Sequence, residues 1–329
     1  MTTKAFLIAL AAGSLTVPAW ASTPTTGPSN LIVVNGSVTT TGGGASSNSL
    51  TVTSTTENSV LSWTNFWDGT ANGGTSTASD QITFTLPSAA SSILNQVTGG
   101  GMTTINGKIS SNGSVYLINP NGVAIGNTGV INAAGFYVST WLEPLSYFET
   151  NGSLAIFGSG WQSLTTNLTS GSVTVAPNAT LQTVGGTGTI GFAANSVALS
   201  STVFGKALLV DGGTNPSINV GQSGPSTVEG NLVVWAGGGN VTLGSNNSVD
   251  VQGTTFVVAD TASNVTVANG GGVVFQGATS INSAGGLVTI ANGSNVLEQG
   301  SLTINSGTGD VVLSNTGTTT IQGNLTITS

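Results

Sequence analysis

A short apolar run returns along this chain with a nearly fixed beat. Segments beginning at 172 (SVTV), 196 (SVAL), 217 (SINV), 240 (NVTL), 264 (NVTV), 287 (LVTI) and 310 (DVVL) are 24, 21, 23, 24, 23 and 23 residues apart. A second series, Gln252-Gly253, Gln276-Gly277, Gln299-Gly300 and Gln322-Gly323, keeps spacings of 24, 23 and 23. A third consists of strand-like segments at 231–236, 254–259, 301–306 and 324–329. Three strand-and-corner units in each period of about 23 residues predict an all-β fold, a right-handed parallel β-helix with three strands per coil. Val, Ile or Leu at alternate positions would face inward, Ser, Thr or Asn outward, and Gly, Asn or Asp would turn the corners. One coil cannot bury its own apolar residues. Coils stacked roughly 4.8 Å apart bury a continuous column and pair their backbones with the coils on either side.

Composition decides whether so polar a chain orders at all. Gly, Ser, Thr and Asn replace the usual Lys and Glu, and charged residues are only 4% of the 329 positions. With 38% hydrophobic residues and a positive mean hydropathy of +0.29, there is apolar surface to bury. The cations are Lys4, Lys108 and Lys206, and arginine is absent. Nucleic-acid binding, which needs a basic footprint, is thereby excluded. There is no cysteine either, so no disulfide framework and no thiolate chemistry. Two readings of that stay open: stability through repetition, or a chain that must thread a narrow pore without closed covalent loops.

The chain opens with Lys4, an apolar run from Ala5 to Val17, and Pro18-Ala19-Trp20-Ala21. A charged start, a short greasy middle and an Ala-x-Ala end form a secretory signal, with Ala19 and Ala21 marking cleavage after residue 21. That run is too short and too broken by Gly13, Ser14 and Thr16 for a membrane anchor, and no later segment is apolar enough to span a bilayer. Strand-like segments follow at 31–34, 59–62 and 81–86. Part of this region is expected to form an N-terminal β cap, because an uncovered sheet edge invites pairing with other chains. Between about 141 and 170 the beat lapses into an aromatic excursion, with Trp141, Tyr147, Phe148, Phe157 and Trp161 beside Glu143 and Glu149. Such a cluster can form a carbohydrate or partner surface, but more commonly seals an excursion against the solenoid flank. The segment 324–329 reads as a complete strand with no polar cap after it, so either the sequence is a piece of a longer protein, the favoured reading, or a partner covers that end.

The most organised stretch is 94–140, centred on Val115-Tyr116-Leu117-Ile118-Asn119-Pro120-Asn121-Gly122-Val123. Two apolar runs flank a four-residue type I turn, with proline pre-set for its second position, asparagine tolerated at the third and glycine suited to the fourth. Around it, Leu94-Asn95-Gln96-Val97-Thr98-Gly99, Ile105-Asn106-Gly107, Ser111-Asn112-Gly113, Gly126 and Ser139-Thr140 follow in a characteristic order. Together they resemble the N-terminal secretion domain of the filamentous haemagglutinin family, the exported partner of two-partner secretion systems. Upstream, Leu61-Ser62-Trp63-Thr64-Asn65-Phe66 and Gln81-Ile82-Thr83-Phe84-Thr85-Leu86-Pro87 are similar to earlier strands of that domain. Gln96 stands where the family usually has arginine, Trp67-Asp68-Gly69 is an altered segment, and no second Asn-Pro-Asn occurs. These departures leave the fold expectation intact and the branch of the family open.

The resemblance implies an organisation of signal peptide 1–21, two-partner secretion domain 22–200 and continuing β-helix repeats 201–329. It also implies that Asn119, Pro120, Asn121 and Gly122 help an outer-membrane transporter with periplasmic recognition domains to recognise the chain. The product would be a secreted or surface-exposed, adhesin-like protein, with host or neighbouring cells as further partners.

Chemistry is sparse. Without histidine or cysteine, the commonest proton shuttle, the thiol nucleophile and the zinc sites built on those ligands are missing. Asp211, Glu229, Asp250, Asp260, Glu298 and Asp310 stand apart in sequence, although stacking could align two of them as a glycosidase pair. Gly186-x-Gly188-x-x-Gly191 leads into more strand and not a helix, so it reads as a corner. Gly307-Thr308-Gly309-Asp310 does not recur at nine residues, as a calcium repeat would. Acceptor triplets at Asn112, Asn167, Asn240 and Asn264 follow from composition. The expectation is therefore an exported structural protein with no catalytic, cofactor or metal site. The rivals are a self-transporting passenger, a β-helical carbohydrate enzyme, and a membrane β-barrel, whose lipid-facing alternation the 23-residue beat does not match.

Overall fold

The computed structural model describes residues 31–43, 48–67, 74–157, 171–211, 216–260 and 263–329. The signal segment with Ala19 and Ala21 lies outside the described residues, as does Trp161. Three long sheets run the length of the molecule, two of twelve strands and one of nine. A representative coil passes from Leu232–Ala236 in the first sheet to Asn240–Leu243 in the second and Val249–Val251 in the third. The next coil then begins at Thr255–Ala259, in parallel register with the first. All seven segments of the first sequence series fall in the nine-stranded sheet, and their pairings reproduce the beat, from Ser172↔Ser196 to Val288↔Val311.

The N-terminal end departs from parallel winding. Ile32–Asn35 runs antiparallel to Asn58–Trp63, and Val38–Gly42 antiparallel to Ser49–Ser54, so the first two strands fold over the end of two sheets. One inner core extends from Leu50 to Ile304, with Trp63, Phe66, Phe84, Phe136 and Phe192 fully buried towards the N-terminal side and mostly Val, Leu and Ile beyond. Each buried aliphatic contributes about 1.5–3 kcal/mol, which is why repetition can offset the cost of ordering each short segment.

The corners explain the regular beat of small residues. After the second-sheet strand, successive coils turn through a left-handed residue: Gly221, Gly244, Ala268, Ala291 and Ser314, with φ of 76°, 71°, 58°, 52° and 58°. Outside the same corner the side-chain amides of Asn269, Asn292 and Asn315 form a ladder with bonds of 2.8 and 2.6 Å. The Gln-Gly series marks a different corner, between the third sheet and the first. A Cβ on Gly253, Gly277 or Gly300 would lie 2.5 Å from the carbonyl oxygen of the glycine one coil earlier. Glycine is required there by close approach of stacked backbones.

Candidate functional site

Strand Ser114–Ile118 delivers Asn119 to a corner of the coil, where Gly122 N–H donates to the Asn119 carbonyl at 3.0 Å and closes the expected turn. Asn119 is fully buried, so its side chain must be satisfied internally. Its amide nitrogen donates to the Gly101 carbonyl at 3.0 Å and to the Thr103 hydroxyl at 2.9 Å. Its amide oxygen accepts from the Asn121 backbone N–H at 2.9 Å. Asn121 is exposed, and its own amide donates to the Gly99 carbonyl at 3.0 Å. The two asparagines thus stitch this corner to the corner one coil earlier. Pro120 is half-buried, and Gly122 is buried with φ +107°, a conformation that a side chain would strain. The four residues therefore act as one unit in the fold, and only Asn121 is exposed.

The coil that follows the turn carries the aromatic excursion. Helix Leu145–Asn151 and the short turn Ala155–Phe157 lie against the outward face of the first sheet. There Val60, Leu94, Tyr116, Ile118, Ala193, Leu208 and Val210 form a second apolar core with Phe148, Leu154 and Ile156. Trp141 and Phe157 pack against it half-buried, as the flank-sealing expectation has it, while Tyr147 stays exposed. The Tyr116 ring meets Phe148 edge-on at 5.1 Å, and Tyr137 lies 5.1 Å from Phe157. Glu143 is buried beneath this layer, its carboxylate accepting from the backbone N–H groups of Ala155 and Ile156 at 2.6 and 2.9 Å. Burial pushes the Glu143 carboxyl above the ordinary range, and those two bonds partly oppose the rise. The Asn58 amide donates to the Glu149 carbonyl at 3.1 Å and ties the helix to the cap strand.

The 23-residue beat does not announce this second core, although the strands beneath it carry a signal. First-sheet strands read Val115-Tyr116-Leu117-Ile118 and Leu208-Leu209-Val210, continuous apolar runs where alternation is the rule elsewhere. A strand apolar on both faces is covered on both faces.

Acids elsewhere stay apart. Among the described residues, no three of His, Cys, Asp and Glu come together in a group able to hold a metal ion. Asp211 and Glu298 are both buried on inward positions of their strands. Gly186 and Gly188 lie at a corner leading into strand Thr189–Ala194, as the residues suggested. Among the described residues, no helix is long and apolar enough to cross a membrane.

Comparison with known proteins places this architecture. Two curated relatives, both heme/hemopexin-binding proteins of Haemophilus influenzae, are 35% identical over 106 residues and 32% identical over 122 residues. Those alignments cover 32% and 37% of this chain but only 11% and 12% of the relatives, so the chain spans a small fraction of their length. Among solved structures, the HMW1 secretion domain of Haemophilus influenzae aligns over 92% of this chain and 100% of its own, at 15% identity and a TM-score of 0.38. The family described as the TPS secretion domain matches residues 25–257. A match over more than half of its length makes this chain a member of the TPS secretion-domain family, the exoproteins exported by two-partner secretion.

Proposed function

We propose that residues 22–200 serve as an export address, read in the periplasm by the recognition domains of an outer-membrane transporter, and that Asn119, Pro120, Asn121 and Gly122 are part of what is read. Residues 201–329 continue the rod. After passage the chain winds coil by coil on the far side. Each stacked coil adds burial that exists only outside the pore, which hinders back-sliding and needs no nucleotide. The product is secreted or held at the cell surface, where it meets host or neighbouring cells in an adhesin-like role. The observation that carries this reading is the family match across residues 25–257, within which the Asn-Pro-Asn-Gly turn falls.

The reading includes no catalysis: histidine and cysteine are missing and the acids of the rod stand apart in sequence. Haem ligation through histidine or cysteine is likewise not part of it, whatever the named relatives bind. The test is export by a two-partner transporter of the chain carrying both Asn119→Ala and Asn121→Ala. Secretion should fall while the circular dichroism of the purified rod keeps its β signature. Export at the level of the unaltered chain would remove the motif from the address.

A further inference from the structure

Within the second sheet the ladder spacing breaks once, and it breaks above the Asn-Pro-Asn-Gly turn. In the second sheet Thr103 pairs with Val123 and Val173 with Val197, partners 20 and 24 residues apart. Between them Val123 pairs with Val173, 50 residues on, because the excursion intervenes. A slip of one residue would turn Val173 and Val175 outward and bring Ser172 and Thr174 into the core.

The point of return is closely packed against the turn. A Cβ on Gly171 would lie 2.4 Å from the Pro120 carbonyl oxygen, and 2.9 Å from both the Gly122 nitrogen and the Thr140 methyl. Thr140 is the last residue before the excursion aromatics begin, so the chain's departure and its return meet on the same turn. From the other side, a Cβ on Gly122 would lie 2.7 Å from the Ser172 carbonyl oxygen. The Gly171 carbonyl then accepts from Asn195 N–H at 3.0 Å and passes the register to the next coil. We infer that Gly171, seated on the Pro120–Gly122 backbone, is the register pin from which winding resumes after the excursion. It is a positioning residue, and it gives the turn a part in folding separate from any part in recognition.

The absence of cysteine allows a direct reading in the purified mature chain, with no transporter present. Single reporters Val173→Cys and Thr174→Cys sample an inward and an outward position immediately after the pin, and Val115→Cys an inward position before it. In the otherwise unaltered chain a maleimide should label position 174 and spare 173 and 115. With Gly171→Ala added, labelling at 173 should rise by at least about tenfold while 115 stays protected, since only coils beyond the pin lose their register. Protection at 173 in the Gly171→Ala chain would overturn the inference. So would equal exposure of 115 and 173, because the glycine would then serve the whole rod. A second variant, with two residues deleted between 158 and 170, should leave 173 protected; exposure there would mean that loop length, and not the glycine contact, sets the register. All of these readings are independent of whether the chain is exported as proposed.

Discussion

The rings of Tyr116 and Tyr137 stack face to face, their centroids 4.5 Å apart and their planes 9° from parallel. They occupy matching outward positions on consecutive coils, and burial pushes the Tyr116 phenol well above its ordinary range. The pair is the floor on which the excursion rests. Phe148, fully buried against Tyr116, should therefore detach the excursion when replaced. Phe148→Ala is expected to cost about 3–5 kcal/mol locally. Near-UV circular dichroism from the tyrosines should change while the main urea transition of the cylinder holds its midpoint. A shared shift of both would mean that the two cores unfold as one.

Stacked glycines give a test of the corner argument. Gly277→Ala places a methyl 2.5 Å from the Gly253 carbonyl oxygen, in a column where backbone sits directly upon backbone. Forcing the coils apart should cost about 1–3 kcal/mol and lower the urea midpoint. Gly185→Ala is the contrasting case, with φ +72° but nothing within 4 Å of the added carbon. Only the backbone preference is lost there, roughly 1 kcal/mol. If Gly185→Ala were the more damaging of the two, close approach would not be the reason for the Gln-Gly beat.

The inward acids set a pH dependence whose sign follows from burial. Glu298 stands where the coils before and after it place Phe275 and Ile321, and it is fully buried without a cation facing it among the described residues. Burial raises its carboxyl above its ordinary value, and neither carboxyl oxygen finds a hydrogen-bond partner among the described residues. Asp211, inward beside Ala194 and Ala236, is pushed up to about 7 by burial, against a 2.8 Å bond from the Gly237 N–H. The folded chain therefore holds protons that the unfolded chain has released. Stability is full below the ordinary carboxylate range and falls as pH rises through the folded values, to about 7 for Asp211. Glu298→Leu should raise the stability of the C-terminal coils at pH 8 by roughly 1–3 kcal/mol and flatten this slope. Urea melts at pH 5 and pH 8 measure both, and an unchanged slope would place the proton elsewhere.

Much of this architecture could be read from spacing because a solenoid repeats its instructions. Val241, Val265 and Val288 face inward at the same step of successive coils, so one pattern appears many times and errors in any single strand are corrected by the rest. The Asn119–Gly122 turn was legible for a different reason, since proline and glycine fix local geometry without reference to distant residues. Contacts made once were not legible. Phe148 on Tyr116, Glu143 on Ile156 and Gly171 on Pro120 join segments brought together only after winding, and a composition cue such as clustered aromatics does not say which face they cover. Glu298 was hidden by the reverse effect, a carboxylate placed on a beat that otherwise specifies hydrocarbon.

The two asparagines of the turn can separate reading of the sequence from reading of the fold. Asn119 is buried with four side-chain bonds, one of them from the Asn121 amide, and its loss strips donors from Gly101 and Thr103. Asn119→Ala should cost roughly 1–3 kcal/mol of stability. Asn121 is exposed and donates to the Gly99 carbonyl and, at 3.4 Å, to the Asn119 amide oxygen, so Asn121→Ala should cost roughly 0.5–1.5 kcal/mol. A transporter that meets the chain before it winds reads both side chains from an extended backbone. Export should then fall to a similar extent in the two single variants despite their unequal urea midpoints. Comparing secreted fraction with midpoint for each variant makes the distinction, because an export defect that scales with lost stability would mean that the transporter depends on the folded turn.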